Sequence, residues 1–356
     1  MIYVPSVSAV VINYNGVAYS EKCIRSLLNS DYENLEVILV DNGSSDGSSA
    51  HLELVFGRYE NFSLIQLDQN FGPAYARNVG VSQSTGNYIC FLDNDTEVEP
   101  DWASHAVKFF HDHPKVGIIQ CKLILAQDKE SLDYVGEFIG PNGFLVQRVK
   151  AGTLDSGEFE DTVPILAAKS AGMFITREAF DAAGGFDPDY FIYVEETDLG
   201  WRVWLSGFEV WYVPTSKIYH EFGTSSIILT RKENNWNAKF HGCKNYVLTL
   251  SKNLGPVSLL TILPKHVMLW VGMAFYSLVV RFDLRTFVAI FCALTWNVKK
   301  IRETLKKRKF VQDNRKIKDK DLFPTVMQKR PFWYFLEKAV RAHSVGNAEG
   351  FIKGKR

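Results

Sequence analysis

The chain has 356 residues, 46% hydrophobic and 22% charged, values that exclude wholesale disorder and collagen-like repeats and predict two domains or one large domain with an appendage. Lys plus Arg and Asp plus Glu both number 40, which excludes a uniformly basic nucleic-acid binder, so no nucleic-acid partner is expected. The balance is uneven: residues 299–330 hold 13 Lys/Arg against 4 Asp/Glu and residues 331–356 hold 5 against 2, which leaves the first 298 residues at −12.

In chain order, Val7 to Tyr14 is apolar and β-branched and meets Asn15-Gly16, the pattern of a buried parallel strand. No basic stretch precedes it, so no cleaved signal peptide is expected. Ser20 to Asn29 has helical spacing, Leu35 to Val40 is a second buried strand, and a helix is expected near 48–56. Phe62 to Leu67 reads as strand, Gly72 to Ser84 as helix, and Tyr88 to Leu92 as a strand that ends on Asp93-Asn94-Asp95. Such alternation with short Gly-rich turns predicts right-handed crossovers and a mostly parallel, Rossmann-like sheet flanked by helices, of class α/β. Short strands are expected near 118–125 and 143–150, a turn and strand over 170–175, helices over 177–183 and 195–205, and a strand over 208–213 stopped by Pro214. The five cysteines, 23, 90, 121, 243 and 292, lack metal-ligand spacing and read as reduced core residues of a cytosolic protein.

Val267 to Val280 and Thr286 to Val298 are uncharged runs of 14 and 13 residues, short of the roughly 20 that a span needs. They read either as a core helix pair or, given the basic run from Lys299, as a hairpin in a membrane interface. An acidic body with a basic tail points to a catalytic body and an anionic surface partner.

Ligands of parallel sheets sit at the carboxyl ends of the strands, and the polar clusters at 13–15, 41–46 and 93–95 all fall there. Asp93 and Asp95 repel unless neutralised, and a divalent cation bridging to a diphosphate would do so; the bland reading of D-x-D is a solvated turn. Asp41-Asn42 would read a nucleobase edge or make an Asx-turn, and Tyr14 would stack on the base or pack. Arg77 would supply a fixed positive charge or lie on a helix surface. Glu195, Glu196 and Asp198 open a helix after an aromatic run. One acid suits the helix dipole, whereas three exceed capping and predict a general base of raised pKa. His220 is either packed or a ligand.

Taken together, VVINYNG (10–16), VDNGSSDGS (40–48), NFGPAYARNVG (70–80), FLDNDTEV (91–98), SAGMFITREAFDAAGGFD (170–187), YFIYVEETDLGWR (190–202) and IYH (218–220) resemble the family-2 glycosyltransferases, inverting enzymes of GT-A fold, over about residues 5–245. The set is most similar to the rhamnosyl/galactofuranosyl-transferase-like branch, which adds sugars to cell-surface glycans. The resemblance implies a catalytic domain over 1–250, and the apolar runs with the basic run after them read as a helical, membrane-associating, basic region over 251–356. It implies that Tyr14, Asp41, Asn42 and Arg77 hold the nucleotide base, with Asn13, Asn15, Asn70, Gly72, Asp93 and Asn94 completing the nucleotide-sugar site. Asp95, Asp93 and His220 would ligate Mn²⁺ or Mg²⁺, Glu196 would be the base, and Glu195 and Asp198 would orient acceptor hydroxyls or Arg202. The segment with Arg231, Lys232, Trp236 and Lys239 matches a stretch that closes over the donor.

The implied function is transfer of a sugar from a UDP- or dTDP-linked donor to a hydroxyl of a glycan or lipid-linked acceptor, at the cytoplasmic face of the membrane and peripheral to it. The alternatives are a polyprenyl-phosphate glycosyl synthase and an inactive nucleotide-sugar-binding scaffold, which would be expected to lose Asp95 or the acids at 195–198.

Overall fold

The computed structural model describes residues 4–221, 231–331 and 334, with the backbone alone for 231–235. The expectations for Arg231, Lys232 and the tail beyond 334 therefore lie outside the described side chains. The chain divides into one unit built from Met1–Phe138, Gln147–Phe222 and Asn314–Val326, and another from Ile139–Val146, Gly223–Asp313 and Met327–Arg356.

The first unit opens with β1 (Val7–Asn13), α1 (Val17–Leu28), β2 (Leu35–Asp41), α2 (Ser48–Phe56), β3 (Phe62–Gln66), α3 (Pro73–Gln83) and β4 (Tyr88–Asp93). Unbroken β-branched runs suit strands buried on both faces, and β1 is buried along nearly its whole length. β1 pairs in parallel with β2 and with β4, and β2 pairs in parallel with β3. The close fit of α3 to this sheet requires glycine, since a Cβ at Gly80 would stand 2.3 Å from a methyl of Val10.

The chain continues through β5 (Thr96–Val98), α4 (Trp102–Asp112), β6 (Val116–Leu125), β7 (Ser131–Tyr134), β8 (Glu137–Ile139), β9 (Leu145–Gln147), β10 (Thr153–Leu154), β11 (Val163–Pro164) and β12 (Met173–Thr176). Then come α5 (Arg177–Ala183), α6 (Glu195–Leu205) and β13 (Glu209–His220). β12 runs antiparallel between β4 and β6, so a parallel half ordered β3-β2-β1-β4 is extended by a mixed half. The α/β expectation thus stands, with more antiparallel pairing than strand–helix alternation alone conveys. Trp102, Cys23, Phe56 and Phe174 lie in the core beneath this sheet.

Three expectations need correction. β13 does not stop at Pro214 but runs on to His220. Its pairing with β6 shifts register between Val213 and Lys217, and proline is tolerated at such a bulge because no ladder hydrogen bond is demanded of it. Cys292 is exposed, while the other four cysteines are buried as expected.

The apolar runs are parts of longer helices. Pro256–Val279 has 24 residues, because an apolar segment before Lys265 joins the uncharged run, and is long and apolar enough to cross a membrane by length and composition. Leu284–Lys299 follows. Within the second unit, Ile262, His266, Trp270, Ala274 and Ser277 form the buried stripe of the first of these helices, at the three-to-four-residue spacing of one helix face.

Candidate active site

The register of the parallel strands gathers the polar strand ends. Asn13 lies opposite Asp41, and Ile12 opposite Asp93, so β1, β2 and β4 end together. The loops there are held by side chains. Asp41 is fully buried; its Oδ1 accepts from the Ser44 amide, three residues on, at 2.9 Å and its Oδ2 accepts from Ser49 Oγ, so the carboxylate holds its own loop as a local polar turn would. Asn13 Oδ1 accepts from Ser20 Oγ at 2.7 Å and from Asn94 Nδ2 at 3.0 Å. Asn42 Nδ2 donates to Asn70 Oδ1 at 3.0 Å, and Asn42 Oδ1 accepts from the Phe71 amide at 3.0 Å. Asn15 Oδ1 accepts from the Ser45 amide at 2.8 Å, and Asn15 itself has φ of 52°. Tyr14 is exposed, its ring unlike the buried residues around it. Gly72, at φ 84°, lets the backbone pass Phe191, which a Cβ there would meet at 2.7 Å.

Asp93 and Asp95 project from the end of β4 and the turn after it. His220 reaches them because the end of β13 pairs antiparallel with β5, placing His220 opposite Thr96, while the Glu221 amide donates to the Asp95 carbonyl at 2.9 Å. One ligand atom from each of Asp93, Asp95 and His220 lies within 4.8 Å of the others. His220 Nε2 faces Asp95 Oδ1 at 3.3 Å. On the far side of the ring Nδ1 meets Asp133 Oδ2 at 2.9 Å. Two carboxylates and an imidazole braced by a third carboxylate fit a divalent cation of the Mg²⁺/Mn²⁺ type. Burial disfavours the imidazolium, but the hydrogen bonds to Asp133 and Asp95 outweigh it and push the His220 pKa up to about 10. Burial likewise opposes ionisation of Asp133, yet Lys169 and His220 hold it well below the usual carboxylate range.

The acid helix α6 sends its three acids in different directions. Glu195 is buried and accepts from Arg77 Nη1 at 3.0 Å; Arg77, also buried, donates through Nη2 to Asp93 at 3.1 Å. Arg77 is thus neither on a helix surface nor solvent-facing, but bridges the D-x-D to the acid helix. Burial and the adjacent Glu196 raise the Glu195 pKa, against the pull of Arg77. Asp198 is fully buried and pairs with Arg202 at 2.8 Å. Glu196 is half-buried, and its Oε1 accepts from Ser170 Oγ at 2.8 Å. Phe191, Tyr193 and Val194, directly before this helix, have φ of 61°, 71° and 68°, an unfavoured region for residues with side chains, above all β-branched Val194.

Sequence reasoning missed Asp133 and Lys169. Lys169 Nζ donates to Asp133 Oδ2 at 3.1 Å, and Asp93 and Glu196 also help raise its pKa although burial lowers it. Lys169 directly precedes the SAGMFI segment, which was the available signal. Asp133, in a four-residue strand, carried none.

A model of the family described as Glycosyl transferase family 2 matches residues 8–152, and one described as Glycosyl transferase family group 2 matches residues 88–298. A relative described as an uncharacterized glycosyltransferase of Haemophilus influenzae is 35% identical over 105 residues, covering 30% of this chain and 42% of its own. The match thus spans about two fifths of that relative's length. Among solved structures, the mannosyltransferase PcManGT from Pyrobaculum calidifontis, in complex with GDP-Man and Mn²⁺, superposes with a TM-score of 0.54 at 17% identity, over 100% of this chain and 89% of the other. Residues 1–349 of S. aureus TarS superpose with a TM-score of 0.52 at 15% identity, over 99% and 93%. At such identities these two likenesses establish the fold, and no particular branch is singled out. With the second family model covering more than half of the chain, the protein belongs to the family-2 glycosyltransferases.

Proposed function

We propose that the protein is a metal-dependent inverting glycosyltransferase that moves a sugar from a nucleoside-diphosphate sugar to a hydroxyl of a glycan acceptor in cell-surface polysaccharide or glycoconjugate synthesis. The observation that carries this reading is the grouping of Asp93, Asp95 and His220 in one unit with Glu196, linked through the Asp93–Arg77–Glu195 chain. A cation held by the three ligands would neutralise the diphosphate of the leaving group. Asp93 and Arg77 fix the carboxylate face on which the donor rests, while Tyr14, exposed at the end of β1, offers a ring for the nucleobase. Glu196, oriented by Ser170, takes the proton of the acceptor hydroxyl at a carboxylate oxygen as that hydroxyl attacks the anomeric carbon. The bond from that carbon to the diphosphate breaks in the same displacement, so configuration inverts.

The donor is UDP- or dTDP-linked in this reading, the acceptor lipid-linked, the branch rhamnosyl/galactofuranosyl-transferase-like, and the location the cytoplasmic membrane face. Support for the last is the exposed apolar side of helix Pro256–Val279, where Leu260 and Met268 are largely solvent-accessible. Calorimetry of UDP, dTDP and GDP binding with and without Mn²⁺ tests the site. Asp95→Ala should abolish metal-dependent binding, and His220→Ala should weaken it less because a histidine ligand brings no negative charge to the cation. Unchanged metal-dependent affinity in Asp95→Ala would sink the assignment.

A further inference from the structure

We propose that Asp133 is a positioning residue for His220: it holds the Nδ1–H and thereby keeps Nε2 turned toward the Asp93/Asp95 side. The proposal rests on the metal reading above and extends it to a residue outside every motif.

The geometry is built into the sheet. β7 pairs antiparallel with β6, Leu123 opposite Tyr134 and Ile124 opposite Leu132, with a register irregularity between Leu123 and Ile124. Asp133 is the residue left between those two pairs. A bulge of this kind leaves one residue outside the ladder and re-aims its side chain. On the other flank of β6, His220 lies opposite Leu125. The irregularity therefore occurs where a side chain from β7 meets one from the end of β13.

Burial makes the contact specific. The Asp133 side chain is 1% exposed, so its carboxylate is cut off from water and depends on protein donors. Among the described residues it has His220 Nδ1 at 2.9 Å and Lys169 Nζ at 3.1 Å, both at Oδ2. A carboxylate is acceptor-only when ionised, so the shared proton with His220 belongs to Nδ1. The ring nitrogen that remains for a ligand is Nε2, the one facing Asp95 at 3.3 Å. A histidine whose second nitrogen donates to a carboxylate has its tautomer and ring orientation fixed and its basicity raised, and removing such a partner costs roughly 10–100-fold in metal affinity.

Lys169 balances the same carboxylate but does not touch His220 among the contacts described. Its loss removes a cation near Asp93, which lowers repulsion toward a metal ion. The two partners of Asp133 can therefore be separated by experiment.

Mn²⁺ is titrated into the full chain, alone and with UDP or GDP, and free ion is followed by its electron paramagnetic resonance signal. Nitrogen coupling to bound Mn²⁺ reports ligation by His220 and should vanish in His220→Ala. Asp133→Ala should weaken Mn²⁺ binding about 10–100-fold and reduce the nitrogen coupling. Asp133→Asn keeps the shape and an acceptor oxygen, so it should fall between Asp133→Ala and wild type. Lys169→Met should bind at least as well as wild type. If Asp95→Ala loses binding while both Asp133 variants keep wild-type affinity and nitrogen coupling, the positioning role is wrong and the metal site stands. If Lys169→Met loses as much as Asp133→Ala, the effect belongs to the ion pair and the proposal fails. If wild type and Asp95→Ala bind Mn²⁺ equally, the metal reading and this proposal fall together.

Discussion

Three acids within four residues have three different fates. Glu195 turns to Arg77, Asp198 to Arg202, and Glu196 to Ser170. Successive positions in a first helical turn point about 100° apart, so the cluster cannot act as one patch. Only Glu196 is left half-buried rather than buried, which is why the base role is proposed for it. Glu196→Gln keeps the shape and should lower turnover about 10²–10⁴-fold with donor affinity near normal. Ser170→Ala removes a charge-assisted hydrogen bond to that carboxylate, worth about 1.5–3 kcal/mol, and should lower turnover about 10–100-fold. Steady-state kinetics beside donor calorimetry decides between these acids: a far greater loss in Glu195→Gln or Asp198→Asn than in Glu196→Gln, at equal stability, would move the base. The motifs made the acids legible but not their partners. Three acids after an aromatic run predict a base of raised pKa; the upward shift falls on Glu195, because burial and the neighbouring Glu196 both oppose its charge. Asp41 illustrates the same limit, since its bonds to Ser44 and Ser49 depend on a loop conformation that residue order alone does not specify.

Elements with one dominant period were the most legible. α2, α5 and α6 begin and end where spacing and glycine punctuation placed them. β13 is not legible beyond Val213, because proline in sequence signals a stop and the bulge that absorbs it needs a partner strand to exist. That extension is what carries His220 to the D-x-D. The helix Pro256–Val279 was read short for a related reason: Lys265 and His266 interrupt an apolar run in sequence, yet His266 is fully buried in the fold. Its Nδ1–H donates to the Asn142 carbonyl at 3.0 Å, and its Nε2 accepts from Trp270 Nε1 at 2.9 Å. Phe144 and Tyr246 rings pack beside it. Burial lowers its pKa to about 4, only partly opposed by the Asn142 bond. The unfolded chain, with a histidine near 6.5, then binds more protons than the folded one between those values. The stability is fully present above pH 6.5 and is lost as pH falls through 4, a change of about 3 kcal/mol for this group. Urea unfolding at pH 7.5 and pH 4.5 should show that slope, and His266→Gln should flatten it. An identical pH slope in the two proteins would mean that His266 is not buried neutral.

At the scale of the whole chain, the uneven charge and the exposed apolar face belong to one argument. Leu260, Met268, Val279 and Phe282 are largely exposed, Phe282 at 88%, although water gives such side chains no reason to be there. Some of the cations of residues 299–330 are engaged within the protein. Arg308 caps carbonyls of Ser251 and Leu254, Lys309 pairs with Asp313, Lys300 with Glu303, and Arg315 with Asp319. Lys299, Arg302 and Lys306 are exposed, as are Lys316, Lys318, Lys320, Lys329 and Arg330 farther along the chain. Each cation that reaches an anionic surface adds about 1 kcal/mol, so the first three alone supply about 3 kcal/mol, a weak attraction that needs the apolar face beside it. The proposed peripheral binding therefore has two separable parts with opposite salt behaviour. Flotation with phosphatidylglycerol vesicles at low salt should carry the intact protein upward. Replacing Lys299, Arg302 and Lys306 by Gln should weaken binding and reduce its salt dependence. Leu260→Asp with Phe282→Asp should weaken binding at all salt concentrations while leaving donor affinity intact. A protein that ignores these vesicles at low salt and stays monodisperse without detergent would rule out the membrane surface as its partner and leave the apolar face as a site for another protein.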